Sequence, residues 1–291
     1  GIPNMKLEKS VVERRVALME AEGVTFVTGT EVGVDVSVQA LKEDFDAVCL
    51  CLGAKRPRDL SVPGREAGGV HFAVDYLSRA TQALLDGAAN TEAKGKDVLV
   101  VGGGDTGNDC VGTALRQGAK SVTQLEMMPC PPETRADTNP WPQWPRVKKT
   151  DYGQAEHIAR FGHDPRVFET TVKELLADQA GSLRGVVTVK LAAKTDPKTG
   201  RRTMEPVPGT EAELPCQLLL IAAGFLGPQE ELFQALELPT PSRTDPYQTA
   251  AEGVFVAGDA RRGQSRVVWA IREGLECARA VDQYLMGYTD L

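Results

Sequence analysis

The chain has 291 residues, 42% of them hydrophobic and 25% charged, with a formal net charge of −7. That is enough for a large core and for two domains. No basic run or aromatic–basic interleaving occurs, which argues against a nucleic-acid partner. No apolar run nears the ~18 residues of a membrane span.

Leu7 to Glu22 predicts an amphipathic helix, with Val12, Val16 and Met19 at helical spacing and Gly23 just past its end. Val24 to Thr28 predicts a strand. Ala47 to Leu52 is a near-continuous apolar run that stops at Gly53. Such runs suit a strand buried on both faces of a parallel sheet. Cys49 and Cys51 alternate within it and read as small buried hydrophobes on one side. None of the six cysteines forms C-x-x-C, and a reducing compartment fits their use. His71, His157 and His163 have no metal-ligand spacing, so no metal site is assigned. Lys55 to Gly64 reads as a connection, and Ala73 to Leu84 as a helix.

The most informative stretch follows. Val98-Leu99-Val100-Val101 runs into Gly102-Gly103-Gly104-Asp105-Thr106-Gly107, and a helix is predicted from Thr106 to Gln117. This is G-x-G-x-x-G in its required context of strand, tight turn and helix. Gly102 permits the turn, Gly104 lets backbone approach a pyrophosphate, and Gly107 lets the helix pack close. The helix start offers unpaired N–H groups and a positive dipole end to phosphates. Ser121 to Glu126 completes a βαβ unit. Glu126 ends that strand 24 residues after Gly102, near the ~20 expected for an acid that hydrogen-bonds an adenine ribose. A carboxylate there repels a 2′-phosphate and favours NADH over NADPH. Arg135 lies nearby in sequence and can serve such a phosphate, so the choice stays open.

Met128 to Pro145 carries six prolines together with Trp141 and Trp144, which excludes helix and central strand. It reads as an ordered loop over the nucleotide site, with a partner-binding surface as the alternative. Val186 to Leu191 and Arg202 to Val207 flank the turn-rich Asp196-Pro197-Lys198-Thr199-Gly200 and predict a hairpin. Leu218 to Ala223 is a second apolar run, stopping at Gly224. Gly253 to Ala257 is a third, ending in Gly258-Asp259. Ligands on open α/β sheets bind beyond the carboxyl ends of strands, and small residues there admit a planar cofactor or its phosphates. Asp259 suits a ribitol hydroxyl. Gln264 and Ser265 open a final helix running to Met286, with Ser265 as the expected N-cap. The element order is α/β throughout.

Several of these stretches together resemble the C-terminal part of the glutamate synthase small (β) subunit and its fused counterparts. They include Gly1-Ile2-Pro3-Asn4-Met5-Lys6-Leu7, Val62-Pro63-Gly64-Arg65 and the glycine fingerprint. Asn139-Pro140-Trp141-Pro142 and Ala223-Gly224-Phe225-Leu226-Gly227-Pro228 match as well. Ala257-Gly258-Asp259-Ala260-Arg261-Arg262-Gly263-Gln264-Ser265 is the longest and most specific.

The resemblance implies an α/β flavoprotein with two dinucleotide-binding, Rossmann-like domains. The NAD(P)H domain, about 63–227, is inserted into an incomplete FAD domain formed by 1–62 and 228–291. It implies an NAD(P)H-dependent oxidoreductase of glutamate synthase type, located in the cytoplasm or a plastid. Hydride passes from NAD(P)H to FAD, and electrons continue through iron–sulfur clusters to the large subunit or region, where glutamate is formed. The cluster cysteines and the FAD domain's own glycine fingerprint belong to an upstream region of the family and do not occur in this sequence, so this chain is expected to be a trimmed piece. Leu125-Glu126-Met127 matches members with an acid after the second strand and favours NADH. No catalytic residue is assigned, because hydride transfer between nicotinamide and flavin needs orientation rather than a protein acid or base. Two other readings stay open. One is a related module feeding another iron–sulfur oxidoreductase of the dihydropyrimidine-dehydrogenase kind. The other is a nucleotide-binding module without turnover.

Overall fold

Val98 to Val101 is buried along its whole length because different layers cover its two faces. The computed structural model describes residues 1–195, 197, 199–200 and 202–291. Its elements in chain order are α1 (Lys9–Ala21), α2 (Val38–Asp44), β1 (Val48–Leu50), β2 (Arg56–Pro57), β3 (Val70–Phe72), α3 (Ala73–Leu85), β4 (Asp97–Val101), α4 (Asp105–Arg116), β5 (Ser121–Glu126), α5 (Tyr152–Phe161), β6 (Arg166–Phe168), β7 (Thr170–Ala177), β8 (Leu183–Thr195), β9 (Arg202–Pro206), β10 (Ala212–Pro215), β11 (Leu218–Ile221), β12 (Phe225–Gly227), α6 (Glu231–Ala235), β13 (Val254–Val256), α7 (Asp259–Arg262) and α8 (Val267–Met286). Among the described residues no helix is long and apolar enough to cross a membrane.

The chain divides into two compact units, one of Gly1–Arg14 with Asp59–Ala223, the other of Arg15–Arg58 with Gly224–Leu291. The first is built on a five-stranded parallel sheet of order β3-β11-β4-β5-β6. Side chains alternate across a strand. Val98, Val100, Leu218 and Leu220 therefore meet Tyr76 and Leu77 of α3 and Val111, Ala114 and Leu115 of α4. Leu99, Val101, Leu219 and Ile221 face the other way, onto Val172, Leu175, Leu183 and Val186 of an antiparallel sheet. That sheet runs β10-β8-β7, with β9 also paired to β8. The β8–β9 pair is the expected hairpin. Asp196 and Lys198 of its expected turn lie outside the described residues.

The second unit contains the parallel pair β1–β13 and the antiparallel pair β2–β12. Val254 and Val256 pack with Leu50, Phe233 and Ala260, while Phe255 packs with Cys277 of α8. Below α7, Arg261 donates to both oxygens of Glu273 at 2.9 Å and to the Asp245 carbonyl, and its guanidinium lies 4.1 Å from the Tyr247 ring centre. Both members of this ion pair are buried.

Four expectations are corrected. Val24 to Thr28 is not a strand: no described strand pairs with it, and Val24, Phe26 and Val27 are exposed. The first helix forms, yet it buries none of its residues, so Val12 and Met19 face solvent. Val48 to Leu50 forms a strand that is not buried on both faces, because β1 lies at the edge of a two-stranded sheet. For the same reason Cys49 and Cys51 are exposed rather than buried. Cys49 shares a hydrogen bond with Cys277 that draws its thiol down to about 7.

Breaking a buried ion pair by removing one partner leaves the other charge uncompensated. Glu273→Ala is therefore expected to destabilise the second unit by about 3–5 kcal/mol. A urea titration followed by circular dichroism checks this, and an unchanged midpoint would show that Arg261 does not depend on Glu273.

Candidate functional site

The sharp turn after β4 is fixed by three close approaches. Gly102 has φ +127°, and a Cβ there would stand 2.2 Å from the Ala222 carbonyl oxygen. Its N–H donates to the Leu125 carbonyl at 2.9 Å. A Cβ on Gly107 would meet the Gly102 oxygen at 2.1 Å, so α4 abuts the turn. A Cβ on Gly103 would meet the Glu126 carboxylate at 2.0 Å. Gly104 differs: its Cβ position has nothing within 4 Å, and its backbone (φ −80°, ψ −173°) suits any residue. It is the N-cap of α4, with Asp105 in the first turn, so free N–H groups and the positive end of the helix open onto that space. A pyrophosphate fits a cradle of this kind.

The structure thus brings Gly102, Gly103, Gly104, Asp105, Thr106, Gly107 and Glu126 into one constellation. The Glu126 Oε1 accepts from the Met128 N–H at 2.8 Å, which holds the carboxylate beside Gly103. Arg135 directs one guanidinium nitrogen into its own loop, to the carbonyls of Asn139 (3.0 Å) and Gln143 (2.8 Å). Asn139 is buried and bonds Gln143, Trp144 and Arg146, so the proline-rich loop is internally ordered. Trp141 and Trp144 stand out from it, exposed.

Sequence reasoning missed what holds the turn. Gln124, fully buried in β5, donates to the Gly102 carbonyl at 2.8 Å and accepts from the Gln154 amide at 3.0 Å. Gln154 also closes a capping box with Asp151 at the start of α5, and its N–H donates to Asn108 Oδ1 on α4. His157, further along α5, is buried against the His163 carbonyl, and burial lowers its pKa, which favours the neutral ring. The one available signal was a glutamine two residues after the buried Val122, on the same side of its strand.

In the second unit, Gly53 and Gly258 follow the carboxyl ends of the neighbouring parallel strands β1 and β13. Both have positive φ and nothing within 4 Å of a Cβ position. The Gln264 side chain lies against Gly224, and its Oε1 accepts from the Phe225 N–H at 2.7 Å. Ser265 is not a helix cap. Arg266 takes the N-cap position, and the Ser265 hydroxyl instead donates to Asp259 Oδ1 at 2.6 Å. The reason is local: α7 intervenes after Gly258 and returns the chain so that residue 265 faces residue 259. Asp259 retains its other oxygen as an acceptor, and the open glycines beside it suit a planar or phosphorylated group.

A G-x-G-x-x-G turn at the end of a central strand of a parallel sheet is the arrangement of a dinucleotide-binding α/β fold. The Pyridine nucleotide-disulphide oxidoreductase family matches residues 5–140. The fold is similar to that of Mycobacterium tuberculosis FprA in its complex with NADPH, with a TM-score of 0.69, 17% identity, and coverage of 98% of this chain and 74% of that one. The chain is 48% identical to the Bacillus subtilis glutamate synthase [NADPH] small chain, over 99% of its own length and 60% of that protein's. It is 46% identical to the Schizosaccharomyces pombe glutamate synthase [NADH], over 100% of its own length and 14% of that protein's. The chain belongs to the glutamate synthase small-chain family. It spans about three-fifths of the length of the bacterial small chain it matches.

Two substitutions separate the roles of the glycines. Gly107→Ala is expected to destabilise the first unit by about 1–3 kcal/mol, because the added carbon overlaps backbone. Gly104→Val is expected to cost under about 1 kcal/mol at this N-cap, yet to abolish binding of a nicotinamide nucleotide. Thermal denaturation and calorimetric titration measure the two effects. Undiminished NAD(H) affinity in Gly104→Val would remove the pyrophosphate from this turn.

Proposed function

We propose that this chain is the electron-input part of a glutamate synthase, taking hydride from NAD(P)H and delivering electrons toward the glutamate-forming large subunit or region. The observation that carries the reading is the open backbone at Gly104 above the start of α4, with the Glu126 carboxylate held beside it. Family membership supports the same reading. The first unit is then the nucleotide domain and the second is part of a flavin domain.

When bound, the nicotinamide nucleotide supplies a hydride and FAD accepts it, releasing electrons singly to iron–sulfur clusters carried elsewhere. The chain's own residues bind and orient. Gly102 to Gly107 hold the pyrophosphate through backbone N–H groups and the helix dipole. Glu126 accepts from ribose hydroxyls. Arg135 pins the proline-rich loop, with its remaining donors able to serve a phosphate. On the flavin side, Gly53, Gly224 and Gly258 admit the cofactor to backbone, Asp259 accepts from a ribitol hydroxyl, and Gln264 and Ser265 order the segment before α8. No side chain donates or removes a proton in this scheme.

For the nucleotide, Glu126 supports a preference for NADH. The names of the relatives point both ways, NADPH in the bacterial protein and NADH in the fission-yeast one. NADH is expected to bind more tightly than NADPH. Glu126→Ala should weaken NADH about tenfold, the loss of a hydrogen bond to a charged group, and so narrow the gap. A wild-type preference for NADPH, measured by fluorescence titration, would show that a cation dominates the ribose end.

For the flavin, this reading gives Gly53, Gly224, Gly258 and Asp259 the isoalloxazine and ribitol portions, and the 291 residues include no second glycine fingerprint for the pyrophosphate. FAD is expected to bind the 291-residue chain weakly, without surviving gel filtration. Asp259→Ala should weaken that binding about tenfold. Stoichiometric flavin absorbance after gel filtration, or no effect of the substitution, would overturn this placement.

A further inference from the structure

Gly103 differs from the glycines around it in what its missing side chain leaves room for. A Cβ on Gly102 or Gly107 would strike a carbonyl oxygen of the main chain. On Gly103 the three heavy atoms nearest to a Cβ all belong to the Glu126 side chain: Oε2 at 2.0 Å, Cδ at 2.9 Å and Cβ at 3.1 Å. Its backbone supplies no second reason for glycine. Gly102 has φ +127°, where glycine is favoured, whereas Gly103 is not among the residues of positive φ. The main chain at 103 therefore accepts an alanine, and it is Glu126 that stands against one.

Glu126 is confined from two directions. Its Oε1 accepts from the Met128 N–H at 2.8 Å. Its Oε2 lies where a methyl group on residue 103 would be. The backbone beneath it is fixed by the sheet, because Leu125 pairs with Val101 of β4 and Glu126 with Phe168 of β6. The Gly102 N–H also donates to the Leu125 carbonyl at 2.9 Å. A methyl group at 103 would thus move the part that moves easily, the carboxylate at the end of a flexible side chain. The bond to Met128 would go with it.

Position matters to what this acid can do. A carboxylate at the end of the second strand accepts from the hydroxyls of a free adenine ribose and repels a 2′-phosphate. Hydrogen bonds weaken steeply once distance and angle depart from their preferred values. A displaced carboxylate keeps its charge but loses the ribose.

We propose that Gly103 is a positioning residue for nucleotide selection: its bare Cα sets where the Glu126 carboxylate stands, and through it the choice between a free and a phosphorylated ribose. The proposal rests on the reading of Glu126 as the group that meets the ribose. It gives residue 103 a role that needs no contact between its own side and the nucleotide.

NADH and NADPH are titrated into the chain by fluorescence, for the wild type, Gly103→Ala, Glu126→Ala and the double variant. Both nucleotides share the pyrophosphate, so damage to the cradle weakens them alike and leaves their affinity ratio unchanged. Gly103→Ala is expected to weaken NADH about tenfold and to lower the NADH-to-NADPH affinity ratio at least about fivefold. Its thermal midpoint should not fall, because the backbone there tolerates a methyl group. In the free protein the Met128 amide signal should shift in NMR as its acceptor leaves. In the Glu126→Ala background, Gly103→Ala should change the ratio no further, the non-additivity of two residues acting through one contact. An unchanged ratio or Met128 signal in Gly103→Ala, full additivity in the double variant, or a Gly103→Ala protein that does not fold would each overturn the proposal. If Glu126→Ala lowers the ratio while Gly103→Ala does not, the proposal alone fails. If Glu126→Ala leaves the ratio unchanged, the ribose reading of Glu126 fails and takes the proposal with it.

Discussion

The carbonyl of Gly102 is the point on which the first unit depends. Gly107 leaves no room for a side chain above it, and Gln124 donates to it from inside the neighbouring strand. Gln124 is held in turn by Gln154, whose backbone N–H is bonded to Asn108 on α4. The turn, the second strand, α4 and α5 are thus tied by one buried chain of hydrogen bonds. Such a chain is high-stakes. Fully paired, it specifies one arrangement; with a member missing, it leaves a desolvated donor or acceptor. Its effect on function is indirect. It sets the angle at which α4 leaves the sheet, and hence where the first-turn N–H groups point.

The two units solve the problem of a glycine-ended strand differently. In the first, an apolar sheet covered on one face by helices and on the other by an antiparallel sheet makes the strand ends rigid. In the second, only short strands pair, and the apolar clusters are small. There the turn after β13 is held by charge and by π contact, with Arg261 clamped between Glu273, the Asp245 carbonyl and Tyr247. Arg262 stacks on Trp269 beside it, 3.7 Å from the ring centre. The same stretch that reads as the most family-specific in the sequence is therefore also a structural clamp. Its arginines face inward to fix Asp259 and the glycines around it.

Legibility followed the range of the interactions. Strand–glycine–helix was visible at Val98 to Gln117 because each part is local: an apolar run, glycines where backbone must bend, a helix that follows at once. The buried strand at Leu218 to Ile221 was visible for the same reason. By contrast, the equally unbroken apolar run at Ala47 to Leu52 forms a strand that is not buried on both faces, because only one strand pairs with it. The polar chain through Gln124 and Gln154 was not visible, because a glutamine in a strand reads as an outward residue until its partner 30 positions away is placed. Val24 to Thr28 failed for the complementary reason. Its residues have strand character, but a strand needs a neighbour, and propensity does not supply one. Ser265 failed as a cap because a short helix after Gly258 changed which residue faces the helix start. The apolar residues of α1 show that helical spacing predicts a helix, not what it packs against.

Only one glycine of the fingerprint is left without a protein reason for being glycine. Gly102 and Gly107 avoid backbone, and Gly103 makes room for the Glu126 carboxylate. That last contact joins structure to selectivity. The carboxylate that would read the ribose is positioned by the Met128 N–H on one side and by the bare Cα of Gly103 on the other. A side chain at residue 103 would displace the acid without touching the pyrophosphate cradle. The motif therefore divides into three parts within six residues: closure of the fold at 102 and 107, room for the Glu126 carboxylate at 103, and open backbone at 104, which under the proposed function receive the ribose and the phosphates. A spacing rule alone treats these glycines as equivalent, whereas the neighbours of each Cα show that they are not.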